Sequence, residues 1–70
     1  MDISSYIKES CQKKNITVSK LAEFSGQSQP NLAKKLRLNN FKISELEKLA
    51  SGLDSELSVR FIDKETGKPL

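Results

Sequence analysis

A mainly α fold, four short helices followed by one C-terminal β-strand, is what this 70-residue sequence predicts. Three observations carry the prediction. Apolar residues recur at helical spacing in four stretches. The residues between those stretches (Asn15, Thr17, Gly26, Ser28 and Pro30) are helix stop and start signals. Only in "ELSVRFID", residues 56 to 63, does the pattern change to strict alternation.

From Asp2 to Lys14, Ile3, Ile7 and Cys11 recur every four residues with Tyr6 beside them, an apolar stripe along one helix face. Asp2 or Ser4 can cap the start, and Lys13 and Lys14 suit the negative end of the helix dipole. Asn15 stops this helix and Thr17 caps the next, in which Val18, Leu21 and Ala22 share a face. Gly26 ends it, because glycine takes a left-handed conformation without steric cost. Ser28 then opens a third helix. Pro30 falls in its first turn, where the N–H it lacks would have had no intrahelical partner. Leu32 and Leu36 form the inner face of that helix, which leaves Gln29, Pro30, Asn31, Lys34, Lys35 and Arg37 outside. In the loop "LNNFK" Phe41 is expected to fold back into the core. The fourth helix sets Leu46, Leu49, Ala50 and Leu53 on one face, with a capping box predicted from Ser44 to Glu47 and an end at Gly52 or Asp54.

In the predicted strand Leu57, Val59 and Phe61 alternate with Ser58, Arg60 and Ile62. A lone strand exposes unpaired backbone groups, so two readings stand: pairing with its copy across a two-fold dimer through Leu57, Val59 and Phe61, or a hairpin or packing against its own helices. "DKETGKPL" reads as a polar turn with a frayed tail. The expected organisation is one helical domain over residues 1 to 55 and a strand and tail over 56 to 70. The chain shows no internal repeat and no low-complexity segment.

Composition narrows the chemistry. Cys11 is the only cysteine and there is no histidine, so an intramolecular disulfide is excluded and no metal site is expected. Cys11 itself reads as a small core residue. No Gly-rich phosphate loop and no nucleophile with an adjacent base is visible, so neither enzymatic activity nor a cofactor is expected. Nor is a small-molecule ligand. No run approaches a membrane span and the first residues do not read as a secretory signal, so a cytoplasmic location is expected. The net charge of +3 is modest, but its distribution is not even. Residues 17 to 42 carry Lys20, Lys34, Lys35, Arg37 and Lys42 against Glu23 alone, and the last 28 residues are acidic.

Two short helices joined at a glycine, the second presenting polar and basic side chains, form a helix-turn-helix pattern. Ala22 is small enough for the helices to cross closely, Gly26 turns, and Leu32 fills the angle between them. With Leu21, Ala22, Gly26, Ser28, Gln29 and Leu32 in register, the segment Thr17 to Leu36 resembles the Cro/CI-type (xenobiotic-response-element) helix-turn-helix of lambda-repressor-like DNA-binding domains. The resemblance spans about residues 2 to 54. It departs at Gln27, where the family is usually aliphatic, and at Phe24, Ser25 and Lys35. A C-terminal strand in place of a fifth helix is similar to the arrangement in Cro, where that strand pairs across a dimer.

The resemblance implies a sequence-specific transcriptional regulator or repressor of double-stranded DNA, acting as a homodimer on an inverted repeat. By position, it places Gln29, Pro30 and Lys34 at base edges. The chemistry agrees for two of them: Gln29 can pair with adenine N6/N7 and Lys34 can donate to guanine O6/N7, while Pro30 offers apolar contact. Thr17, Ser19, Ser28, Asn31, Lys35, Arg37, Asn39, Asn40 and Lys42 are placed for phosphates. Two other readings compete. The basic cluster could be a solvated helix face, and the domain could be a protein-binding adaptor, such as the antitoxin of a toxin pair, whose tail holds a protein partner.

Overall fold

The computed structural model describes residues 2–70 and contains four helices, α1 Ile3–Lys13, α2 Val18–Phe24, α3 Gln29–Leu38 and α4 Ile43–Gly52. The starts and stops follow the sequence signals closely. Asp2 caps α1, its Oδ1 accepting from the Ser5 N–H at 3.0 Å. That bond holds the Asp2 carboxyl below its ordinary value. Asn15 takes a left-handed φ of 56°, Thr17 Oγ1 accepts from the Lys20 N–H at 3.1 Å, and Gly26 turns with φ 74°. Ser28 Oγ accepts from the Asn31 N–H at 3.3 Å, with Pro30 in the first turn of α3.

The core is small and central to α2. Leu21, Leu32 and Leu49 are the largest fully buried side chains, joined by Ile7, Cys11, Ala22 and Leu36. Ile3, Ile16, Val18, Phe41, Leu46 and Leu53 pack around them, so Phe41 folds inward as its loop predicts. α2 touches α1, α3 and α4, and Ala22 at 1% exposure allows the close crossing. The approach of α4 is equally tight at Gly52, where an added Cβ would lie 3.0 Å from Leu21 Cδ1 and 3.4 Å from the Ser25 nitrogen. Burial pushes the Cys11 thiol up from 9.0, which leaves it an inert core residue.

Several expectations are corrected. Tyr6 is 66% exposed, because the apolar stripe of α1 narrows to Ile3, Ile7 and Cys11. The capping interaction of α4 lies two residues earlier than Ser44 and Glu47: Glu45 Oε1 accepts from the Lys42 N–H at 3.1 Å. Ser4 does not cap α1 but is buried and turned toward α3.

The predicted strand Leu57 to Ile62 is not formed among the described residues. The chain there is irregular, and the tail closes on itself in a single antiparallel bridge between Ile62 and Pro69. Two bonds flank the bridge, Asp63 N–H to Lys68 O at 2.9 Å and Leu70 N–H to Phe61 O at 2.9 Å. The tail is thus ordered rather than frayed, with its turn held by Asp63 Oδ1 accepting from Glu65 N–H and Thr66 Oγ1 accepting from Lys68 N–H. The physical reason for so short a ladder is local. The turn consumes residues 63 to 68, and Pro69 has no N–H to donate to a longer ladder. Of the three side chains assigned to a dimer strand, Leu57 is half-buried, whereas Val59 and Phe61 are 65% and 80% exposed.

Candidate nucleic-acid interface

α3 presents its outer face because its inner face is fully used. Leu32 and Leu36 are buried against α2 and the core, and at ~100° per residue Lys34 lies on the side opposite them. Pro30 and Arg37 flank Lys34 on one side, Asn31 and Leu38 on the other, and all five are exposed. Lys34 and Arg37 have no carboxylate partner among the described residues. A helix face with two unneutralised cations and no packing role is chemically suited to a polyanion.

The N-terminal ends of α2 and α3 meet. Ser19 Oγ donates to Gln29 Oε1 at 3.3 Å, so a residue assigned to phosphate and one assigned to a base edge are neighbours in space. The amide oxygen has a second lone pair and its NH₂ keeps both donors, so this bond still permits paired contact with adenine. Thr17 and Ser28 are exposed but spend their hydroxyl oxygens on capping, which leaves their O–H groups able to donate.

The C-terminal half of the site is less simple than its sequence. Asn40 and Lys42 are exposed, and with Asn31, Lys34, Lys35, Leu38 and Glu45 they line a shallow open groove of about 290 Å³ between α3 and the start of α4. Lys35 is not displayed alone: its ammonium pairs with Glu45 Oε2. Asn39 turns its amide oxygen inward, accepting from Ser4 N–H at 2.9 Å, while Ser4 Oγ donates to Leu36 O at 2.6 Å. Asn39 also ends α3 with a left-handed φ of 51°, which Asn tolerates better than most residues.

Comparison with protein-family models, curated proteins and solved structures gives no match. The site therefore stands on its own geometry. Among the described residues no helix is long and apolar enough to cross a membrane.

Three residues matter here in ways that the sequence does not assign to them. Ser4 ties the start of α1 to the end of α3 and so fixes the pitch of the displayed helix; a serine two residues past a cap carries no signal of that. Removing its hydroxyl in Ser4→Ala is expected to lower stability by about 1 kcal/mol, read as a shift in urea midpoint with unchanged slope. Glu45 pairs with Lys35 across ten residues of sequence and caps the start of α4 at Lys42, where the sequence signals point instead to Ser44 and Glu47. Leu38, 58% exposed among the cations, falls off the Leu32 and Leu36 stripe, a signal that was present in the periodicity.

Gln27, just past the turn glycine, is half-buried and its Oε1 is shielded from solvent without a hydrogen-bond partner. An unpaired buried carbonyl costs free energy that an isosteric apolar side chain avoids. Gln27→Leu is accordingly expected to raise stability by about 1 kcal/mol; an unchanged or lower melting temperature would show that the amide is satisfied in solution.

Proposed function

We propose that this protein binds double-stranded DNA sequence-specifically, as a small transcriptional regulator of bacterial or phage type with a lambda-repressor-like helix-turn-helix. The observation that carries the reading is the outer face of α3. Pro30, Asn31, Lys34 and Arg37 stand clear of the fold, on a helix held firmly by Leu32 and Leu36, with Gln29 at its leading end. Laid in a major groove, that face would bring Gln29, Pro30 and Lys34 to base edges. Arg37, Asn40 and Lys42, with Thr17, Ser19 and Ser28 at the helix starts, would meet phosphates. A homodimer would set two such helices ~34 Å apart on an inverted repeat. The exposed Val59 and Phe61 supply an apolar surface for that association.

Selection of bound duplexes from a randomised pool at ~0.15 M salt tests the reading. An enriched inverted repeat is expected. A single enriched half-site would remove the dimer and keep the readout, and no enrichment from folded protein would remove DNA as the target.

One observation favours a second reading, a protein-binding adaptor. Ile43, Ala50, Leu57 and Val59, together with Glu47 and Glu56, line an open groove of about 570 Å³ on the side of α4. Capture of a defined protein through this groove, without duplex enrichment, would support it.

A further inference from the structure

Glu45 uses both of its oxygens. Oε1 accepts from the Lys42 N–H at the start of α4, and Oε2 faces the Lys35 ammonium. The two side chains are only 27% and 17% exposed, so the pair is largely shielded within the groove that it lines with Asn31, Lys34, Asn40 and Lys42. A carboxylate at that place has the wrong sign for a polyanion. It neutralises one of the cations that α3 would otherwise offer to phosphate, and its second oxygen is pinned by the helix cap so that it does not swing away.

We propose that Glu45 holds Lys35 back from DNA phosphates and so acts as a specificity-determining residue, lowering the share of affinity that every sequence receives equally. The proposal rests on the duplex-binding reading above and concerns the electrostatic part of it. Each lysine that neutralises a phosphate releases counterion and adds ~0.9 to the slope of log affinity against log salt. A lysine already neutralised within the protein adds nothing until its partner is displaced. Lys34, with no such partner, is spent at once; Lys35, on a flexible four-carbon stem, is withheld.

The test is a set of four variants built from three substitutions. Glu45→Gln keeps an oxygen to accept from Lys42 N–H and removes the charge. On random-sequence duplex it is expected to steepen the salt slope by ~0.9, so that affinity falls about 3.5-fold more than in the parent between ~50 and ~200 mM salt. Any lost carboxylate raises net charge, so Glu47→Gln on the same helix is the control and is expected to change the slope far less. Lys35→Gln alone should leave the parent slope nearly unchanged, yet in the Glu45→Gln background it should abolish the increment. Additive effects of the two substitutions, or equal effects of Glu45→Gln and Glu47→Gln, would overturn the proposal.

Salt elution from heparin, a polyanion without bases, repeats the comparison independently of sequence readout. Non-additive shifts on heparin from a protein that enriches no duplex would sustain the withheld lysine and refute the DNA reading. Additive shifts from a protein that selects an operator would do the reverse.

Discussion

Leu32→Ala is expected to cost about 2 to 5 kcal/mol, enough to remove a large part of the domain's stability at room temperature. Leu32 is 0% exposed and lies in the angle between α2 and α3, one of only seven buried apolar residues that form the core among the described residues. Removing its isobutyl group deletes transfer free energy and leaves a cavity that Leu21 and Leu36 cannot fill, since both are held by their own helices. A chain of this length has a total stability of roughly 4 to 10 kcal/mol, so one such loss is a large fraction of it. Urea unfolding followed by circular dichroism would show it. Leu38→Ala, at a leucine of the same helix that is 58% exposed, should stay within about 0.5 kcal/mol of the parent and serves as the control. A loss at Leu32 no larger than that at Leu38 would mean that α3 is not seated as described.

The second large effect belongs to the proposed base readers. Gln29→Ala and Lys34→Ala are each expected to weaken binding to the selected operator by about 1 to 3 kcal/mol and to relax base preference at one position. Arg37→Ala should act differently, weakening all sequences alike and reducing the salt slope by about 1. The distinction follows from position: Lys34 is at the crest of α3, whereas Arg37 lies to one side. It is Gln29 whose amide Ser19 already steadies, reducing the side-chain entropy lost on contact. Repeating the duplex selection with each variant reads both quantities. Lys34→Ala that lowers affinity uniformly and leaves the preferred sequence intact would demote Lys34 to a phosphate contact.

Much of the helical framework was legible in the chain because its signals are local. Thr17, Gly26, Ser28 and Pro30 act on groups within four residues of themselves, so the α2 turn and the start of α3 follow from neighbours alone. Leu32 and Leu36 on the inside of α3, and Lys34 opposite them, follow from a 3.6-residue period that needs no knowledge of the partner helix. The alternation of Leu57, Val59 and Phe61 misled, because alternation describes a surface and a strand requires something to pair with. The segment after Ile62 offers only a turn and a proline, enough for a single bridge.

What the sequence determined by itself is therefore the number and order of helices, the caps of the first three, the inner stripe and the basic outer face of α3. The tertiary structure alone decided how that face is angled and which of its charges are spent. Ser4 reaches Leu36 and Asn39 across more than thirty residues, and Glu45 reaches Lys35, only because α1 and α4 close on the end of α3. A hydrogen bond or an ion pair between distant residues depends on angstrom-scale placement of separate helices. Spacing along a chain specifies the helices one at a time and leaves that placement to the packing of Leu21, Leu32 and Leu49.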